Sequence, residues 1–253
     1  MLSHRVIPAL LLSNSGLVKT QRFSSAKYVG DPINAIRIFN DKEVDELVVL
    51  DIDATRLNRE PDYDLIEEFA AECFMPLGYG GGVRTVEQAK RLFSLGVEKV
   101  VLQTAALEDP RIVTELASRF GSQSIVVSID VKKNWLGKTK LWGASSKRIL
   151  RADWLAVMRE LQSAGAGEVL LNSVDRDGMR NGYDLDVIRS AAAILDIPLV
   201  ALGGAGSTTH LLEAVQAGAS GVAAGSLFVL QGPHRAVLIS YPGYSALDKL
   251  FRS

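Results

Sequence analysis

The chain has 253 residues, of which 47% are hydrophobic and 23% charged, and its 28 basic and 29 acidic side chains leave a net charge of −1. This composition is typical of a packed globular protein and excludes collagen-like, coiled-coil and disordered chains. The near balance of charge gives no support to nucleic-acid or membrane binding. Cys73 is the single cysteine, which excludes an intramolecular disulfide and a multi-cysteine metal site. The cytoplasm is the expected location.

The first apolar run, VIPALLL at 6–12, follows Arg5 as the core of a signal peptide would. The run is short, no small-residue cleavage pattern follows it closely, and the residues 13–16 (SNSG) are typical of a turn. We therefore expect a buried first strand here rather than a targeting signal. No other run approaches the roughly 18 apolar residues that a membrane-spanning helix requires.

Short apolar runs rich in β-branched residues recur along the chain, and most lack strict alternation, as in strands that are covered on both faces. Amphipathic stretches separate them, so the order predicts a single (β/α)₈ TIM barrel domain over residues 1–253. A doubly wound parallel sheet is the main alternative. The predicted strands are RVIPALLL (5–12), ELVVLDID (46–53), PLGYGG (76–81), KVVLQT (99–104), SIVVSID (124–130), EVLLNSVD (168–175), PLVALGG (198–204) and GVAAGS (221–226).

One amphipathic stretch carries clear helix boundaries. Thr85 and Gln88 have the spacing of a capping box, and Gly96 ends the stretch. Val86, Ala89, Leu92 and Phe93 form its apolar stripe. The pattern predicts a helix between residues 85 and 96.

An internal repeat with a constant offset of 122 residues favours the barrel. A constant spacing over several pairs indicates two duplicated half-barrels of four βα units each, because one insertion in either half would break it. The matched pairs are Glu46 with Glu168, Pro76 with Pro198, Gly81 with Gly203, Gly82 with Gly204, Gly96 with Gly218, and Thr104 with Ser226.

Each half carries a Gly-rich strand end, followed about 20 residues later by a small hydroxyl residue. Backbone N–H groups of such turns, and of helix N-termini, bind anions. Two equivalent sets predict a ligand with two phosphates, or one that resembles it, although the glycines could instead only form tight turns. The predicted phosphate-binding residues are Gly81, Gly82, Thr104, Asp177, Gly203, Gly204, Gly225 and Ser226.

Carboxylates at strand ends are candidate catalytic groups, because barrel enzymes place their catalytic residues there. Asp51, Asp53, Asp130, Asp175 and Asp177 lie at such ends, and each could act as a general acid or base or simply cap a helix. The histidines lack metal-ligand spacing, and no zinc, Walker or dinucleotide-binding motif is present. The sequence predicts neither a metal nor a cofactor.

Several motifs together resemble the cyclase subunit family of imidazole glycerol-phosphate synthase, HisF. They are LDIDA (50–54), GGGVRT (80–85), QTAAL (103–107), FGSQSIVVSID (120–130), DRDGMRNGYD (175–184) and GGAGS (203–207). The resemblance implies a half-barrel duplication that binds a two-phosphate ribonucleotide. It also implies that a HisH-type glutaminase docks on the N-terminal face and sends ammonia through the barrel.

The match to the family's two catalytic aspartates is incomplete. Asp130 matches the aspartate after the fifth strand, whereas Leu11 stands where the family has the other one. Leu202 replaces a usual Ser, and Gln103 a usual Asn. Loss of a proton-transfer group removes a contribution of typically 10²–10⁴-fold to the rate, so the resemblance leaves standard cyclase activity in doubt.

The positions that the family uses to pass ammonia are all matched. The resemblance implies a gate of four charges at the bottom of the barrel, and it places two further residues at the glutaminase interface. The predicted gate residues are Arg5, Glu46, Lys99 and Glu168, and the predicted interface residues are Glu98 and Gln123. Pairing alone could also explain four alternating charges.

The N-terminal motifs RVIPALLL (5–12), GLVKT (16–20) and YVGDPINAIRIFNDKEVDEL (28–47) together resemble a paralogue group of HisF-like proteins, WbuZ or glycosyl amidation-associated proteins, from surface-polysaccharide gene clusters. This resemblance implies that the chain supplies ammonia for amidation of a sugar, with a separate sugar amidotransferase as a further partner. Two alternatives stay open. One is a true histidine-pathway cyclase that recruits Asp51 or Asp53, and the other is a non-catalytic scaffold that activates the glutaminase.

Overall fold

In the computed structural model, which describes residues 4–232 and 234–252, eight parallel strands close into a barrel. The strands are β1 (Arg5–Ser13), β2 (Leu47–Asp51), β3 (Leu77–Gly80), β4 (Lys99–Leu102), β5 (Ile125–Lys133), β6 (Glu168–Ser173), β7 (Leu199–Leu202) and β8 (Gly221–Ala224). Every predicted strand is confirmed, and the doubly wound alternative is wrong because the sheet has no free edge: each strand pairs with the next, and β8 pairs with β1. Within this closed sheet β5 and β6 pair from Val126 beside Glu168 to Val131 beside Ser173.

One helix of eight or more residues follows each strand and packs on the outside of the barrel. No helix among residues 4–232 and 234–252 is long and apolar enough to cross a membrane. The helices are α1 (Pro32–Asp41), α2 (Tyr63–Glu72), α3 (Val86–Ser94), α4 (Arg111–Phe120), α5 (Trp154–Ser163), α6 (Leu185–Ala192), α7 (Thr208–Gln216) and α8 (Tyr244–Arg252). The helix predicted between residues 85 and 96 is thus confirmed as α3, and its capping box is formed.

Short elements decorate the C-terminal ends of the strands, where the barrel opens. After β1 the chain forms a hairpin of Gly16–Gln21 with Ser24–Gly30, and β5 extends into a hairpin with Thr139–Gly143, which also pairs with Arg148–Ile149. Short helices at Thr104–Glu108 and Ser226–Val229 follow β4 and β8. A small hairpin of Leu230–Gln231 with Ala236–Val237 precedes α8.

The predicted duplication has a counterpart in the hydrogen bonds between the strands and their connections. The N–H of Leu47 donates to the carbonyl of Pro76 at 2.9 Å, and 122 residues later the N–H of Val169 donates to that of Pro198 at 2.9 Å. Thr104 and Ser226 each open one of the two short helices. The same contacts therefore recur in both half-barrels.

The repeat also explains His210, for which the sequence indicated no ligand role. In the first half the N–H of Arg84 donates to the side chain of Gln88 at 2.7 Å. In the second half the N–H of Gly206 donates to Nδ1 of His210 at 3.1 Å. His210 thus stands at the capping position of α7 that Gln88 occupies in α3, and its role there is structural.

Prediction from the core. Phe39 on α1 is completely buried between the helices and the strands, whereas Phe74, just before β3, is 87% exposed. Phe39→Ala should lower the free energy of unfolding by about 3–5 kcal/mol, because it leaves a cavity in a close-packed layer. Phe74→Ala should change it by about 0.5 kcal/mol or less. Urea unfolding of both variants measures this, and equal losses would contradict the assigned core.

Candidate functional site at the barrel mouth

A cavity of about 550 Å³ opens at the C-terminal ends of the strands. Its wall contains Asp130 and every one of the eight residues predicted to bind phosphate: Gly81, Gly82, Thr104, Asp177, Gly203, Gly204, Gly225 and Ser226. Parallel strands bring residues that are distant in sequence to this one edge of the barrel. The volume is in the range of small-molecule sites.

Asp130 lies at the floor of this cavity and is 4% exposed. Burial raises its pKa to about 7, because the charged carboxylate is poorly solvated there, and the nearby Asp177 acts in the same direction. Hydrogen bonds from Gln103 and Asn172 oppose this shift by stabilising the carboxylate. At neutral pH this carboxyl can therefore either give or take a proton.

Lys19 brings a buried amine to the mouth from the hairpin after β1. Its Nζ donates to the carbonyl of Ala9 at 2.7 Å and lies directly over Gly225, where a Cβ atom would come within 2.4 Å of it. Burial lowers the pKa of Lys19 to about 8, and Asp177 partly offsets this. Asp177 in turn accepts hydrogen bonds from Thr20 Oγ1 at 2.6 Å and from the N–H of Phe23 at 3.2 Å, so it ties the hairpin to the mouth.

The backbone conformation and the lack of space for a side chain explain why glycine occupies the two Gly-rich strand ends. Gly81 and Gly204 have φ angles of +122° and +111°, which only glycine adopts readily. A Cβ atom on Gly81 would lie 2.5 Å from the carbonyl oxygen of Asp51, and one on Gly204 would lie 2.2 Å from that of Gly182. The tight-turn interpretation therefore holds at these positions, and phosphate binding by the same turns stays a prediction.

Three of the strand-end carboxylates are engaged in structural contacts. Asp51 accepts from the N–H groups of Asp53 and Ala54 at 2.8 and 3.0 Å and so shapes the turn after β2. Asp53 accepts from Ser13 Oγ at 2.6 Å and pairs with Arg56 at 2.7 Å. Burial alone would raise the pKa of Asp53, but the hydrogen bonds from Arg56 and Ser13 overcome it and hold the pKa below its ordinary value.

Asp175 also has a backbone partner. It accepts from the N–H of Lys133 at 2.7 Å and therefore fastens the end of β5 to the segment after β6. All three carboxylates are thus engaged in hydrogen bonds within the loops around the mouth.

Apolar side chains stand in the mouth at two positions where the resemblance predicts polar ones. Leu11 lies beside Leu50 of the neighbouring strand, and Leu202 lies beside Asn172. Both leucines line the cavity. The floor of the site thus combines one buried carboxyl with an apolar wall.

Sequence reasoning missed some of the residues that shape this floor. Asn172 and Trp142 line the cavity, and within the part of the chain that the structure describes, Asn172 Oδ1 and Trp142 Nε1 are buried without a hydrogen-bond partner. Asn172 pairs in register with Asp130. Its position at a strand end could have signalled it, whereas Trp142 comes from a hairpin whose fold over the mouth no local pattern indicates.

The predicted gate residues meet at the opposite end of the barrel and form a closed charge ring of Arg5, Glu46, Lys99 and Glu168. The guanidinium of Arg5 pairs with both glutamates. Nζ of Lys99 lies 2.8 Å from Glu46 and 3.3 Å from Glu168. Both glutamates are buried, so each carboxylate is compensated by two cations.

A small cavity of about 10 Å³ lies inside the barrel at the charge ring. This is close to the space that one water molecule needs. The interior between the charge ring and the mouth is apolar; it consists of Ile7, Ala9, Val48, Val101, Val126, Leu170, Val200 and Ala223. Glu98 precedes β4 and Gln123 precedes β5, and both are exposed at this N-terminal end.

The comparisons with known proteins agree with this architecture. The sequence profile described as "Histidine biosynthesis protein" matches residues 5–233. The chain belongs to this family. A relative in Pseudomonas aeruginosa, "Putative imidazole glycerol phosphate synthase subunit hisF2", is 53% identical over 98% of this chain and 99% of its own.

Two relatives occur in one strain, Vibrio vulnificus YJ016. "Putative imidazole glycerol phosphate synthase subunit hisF3" is 51% identical over 98% of this chain and 96% of its own. "Putative imidazole glycerol phosphate synthase subunit hisF2" is 40% identical over 90% of this chain and 84% of its own. The family relation confirms a HisF-like synthase subunit. Among residues 4–232 and 234–252, no group of three or more His, Cys, Asp or Glu side chains could hold a metal ion.

Prediction from Asp130. The folded chain keeps a proton on this carboxyl up to about pH 7, whereas an ordinary Asp releases it near 3.8. Between these values the folded state binds more protons than the unfolded state, so the free energy of unfolding should fall as pH rises through this window. Asp130→Asn removes the effect and should gain stability relative to the native chain from pH 5 to pH 8, on the order of a few kcal/mol.

Urea unfolding at several pH values measures this difference. Glu67→Gln, at an exposed position on α2, serves as the control and should follow the native profile. A constant difference between Asp130→Asn and the native chain at all pH values would contradict the raised pKa.

Proposed function

We propose that this HisF-like subunit receives ammonia from a HisH-type glutaminase at the charge ring and delivers it at the mouth, where it serves the amidation of a sugar in surface-polysaccharide biosynthesis. One contrast carries the proposal. The charge ring is complete, whereas the mouth has Leu11 in place of a catalytic aspartate. The chain thus keeps the charge ring that would pass ammonia, but it lacks one of the two carboxylates that cyclisation would use.

The interior supports a path for ammonia rather than for ions. Neutral ammonia is about as small as water, and an apolar lining disfavours ammonium and other charged species, because charged groups are costly to desolvate. The small cavity at the charge ring is the first space along this path. Movement of Lys99 or Arg5 away from the glutamates would open the ring, which is sealed in this structure.

Two phosphate positions at opposite sides of the mouth fit an elongated anionic ligand. Gly81, Gly82 and Thr104 belong to one set, and Gly203, Gly204 and Ser226 belong to its repeat. Each hydroxyl residue opens a short helix after its strand. A sugar ligand with a phosphate toward each of its two ends would fit these positions, and Asp130 at the floor, as the carboxylate, would accept the proton that ammonia loses when it adds to an electrophilic carbon of this ligand.

The sugar-amidation role rests on the N-terminal resemblance. One Vibrio vulnificus strain encodes two HisF-like relatives, as is expected if such proteins serve more than one pathway. We place the complex in the cytoplasm, with Glu98 and Gln123 at the glutaminase interface. A separate sugar amidotransferase would be a further partner of the complex.

A second candidate is the cyclase of histidine biosynthesis. The names of the relatives favour it, and so does Asp130, whose pKa of about 7 suits proton transfer at neutral pH. Asp51 and Asp53 are already held by hydrogen bonds in and beside the loop after β2, which argues against either one as a substitute for the missing aspartate.

A non-catalytic scaffold is the third candidate. In a reconstituted amidation pathway it would tolerate Asp130→Asn, whereas our proposal requires that amidation is lost.

Prediction from Leu11. With the two-phosphate ribonucleotide of the family and saturating ammonium, the native chain should form no cyclised product, because it lacks the second proton-transfer carboxylate. Leu11→Asp should raise cyclisation by about 10²–10⁴-fold above that background, the typical contribution of such a group. Leu11→Asn is the control of similar size, and it should leave the rate of cyclisation at the background level because an amide cannot transfer the proton. Efficient turnover by the native chain would establish the histidine-pathway candidate.

Prediction from the charge ring. In the complex with the glutaminase, Lys99→Met should uncouple the two activities, because it removes one of the two cations that hold the glutamates. Less ammonia should reach the mouth per glutamine hydrolysed, while activity with added ammonium is retained. Lys90→Met, at an exposed site on α3, is the control. An unchanged ratio of glutamate released to product formed would argue against the ring as the gate.

A further inference from the structure

A hairpin beside the mouth ends in an apolar tip. Val131–Lys133 at the end of β5 pairs with Thr139–Leu141, and the turn between them is held by Asn134. Oδ1 of Asn134 accepts hydrogen bonds from the N–H groups of Leu136 at 3.0 Å and Lys138 at 2.9 Å. The tip is therefore a braced turn.

The tip presents two large apolar side chains to solvent. Trp135 is 90% exposed and Leu136 is 57% exposed. Trp135 is the most exposed large hydrophobic side chain among the described residues. The other two tryptophans, Trp142 and Trp154, are at least partly buried. Neighbouring exposed apolar side chains on a braced turn indicate an interaction site rather than packing.

The segment that carries the tip is strongly basic, although the whole chain is nearly neutral. Residues 131–152 contain no acidic side chain and seven basic ones: Lys132, Lys133, Lys138, Lys140, Lys147, Arg148 and Arg151. Lys133 pairs with Asp184 at 2.8 Å, and Lys132 lies over the ring of Trp142. Among the described residues the other five form no ion pair. Two of them, Lys138 and Lys140, lie on the hairpin itself, so the apolar tip has uncompensated positive charge beside it.

This basic segment borders the cavity. Trp142, Ser145 and Lys147 line the mouth from this side. Arg22 from the hairpin after β1 also lines the mouth and has no ion pair within the described chain. The tip and the mouth thus belong to the same end of the molecule.

We infer that the hairpin tip docks on an anionic membrane surface. Tryptophan prefers the water–lipid interface, and basic side chains beside it are attracted to anionic headgroups. A stable protein interface buries about 800 Å² on each partner, which is more than a tip of two side chains offers. Insertion of Trp135 and Leu136 would turn the mouth toward the headgroup region. The inference does not depend on the proposed function.

The test uses vesicles of phosphatidylcholine alone and of phosphatidylcholine with 30% phosphatidylglycerol, a composition on the order of natural anionic surfaces. Co-sedimentation at low salt should show binding of the full chain to the anionic vesicles only. Lipids brominated in their acyl chains should quench the fluorescence of Trp135, and the quenching should disappear in Trp135→Phe. Bound protein without quenching would overturn insertion.

Variants separate the two contributions. Trp135→Ser with Leu136→Ser should weaken binding about tenfold, because the inserted apolar area is lost. Lys138→Gln with Lys140→Gln should weaken it about 25-fold at low salt, from roughly fivefold per lysine. Phe74→Ser, an equally exposed aromatic before β3, and Lys90→Gln are the controls and should bind as the native chain does.

Three results of the binding assays would overturn the inference. Equal binding to neutral and anionic vesicles would remove the role of charge, and unchanged binding of the tip variant would remove the role of the hairpin. Absence of vesicle binding by the native chain would also overturn it and would leave a protein as the occupant of the tip.

Discussion

Closure of the barrel between β5 and β6 is the constraint on which the rest of the structure depends. Once these strands pair, alternate residues of every strand point inward, and the eight C-terminal strand ends meet at one mouth. On β1 alone this alternation carries Arg5 into the charge ring, Ile7 and Ala9 into the apolar interior, and Leu11 into the mouth. One strand thus contributes to every layer along the axis.

The two ends of the barrel differ in whether their buried carboxyl groups are paired with cations. At the bottom, two buried glutamates are compensated by two cations, so the ring holds its charges without a ligand. At the mouth, Asp130 is buried in a cavity that Leu11 and Leu202 also line, and it receives only neutral hydrogen-bond donors, so burial raises its pKa to about 7. A paired ring suits a seal that opens on rearrangement, and an unpaired carboxyl suits proton transfer at neutral pH.

The half-barrel duplication gives the mouth its two-fold pattern. Gly81 and Gly203 hold equivalent left-handed turns, and Thr104 and Ser226 open equivalent short helices. The hairpins break this symmetry, since the one after β1 brings Lys19 and the one after β5 brings Trp142 to the cavity. The repeat therefore gives the two halves of the mouth equivalent turns and short helices, and the hairpins make the two halves different.

The sequence by itself determined the strand order, the capping of α3, the repeat and the residues that gather at the mouth. These follow from local periodicity, turn chemistry and the rule that strand ends meet at one edge. Its resemblance to a family indicated the four members of the charge ring. Only the tertiary structure decided that Asp51 and Asp53 are engaged, that Lys19 is buried, and that the basic segment around Trp135 lies beside the cavity. The reason is that burial and pairing depend on residues far apart in the chain, which net charge and local pattern do not report.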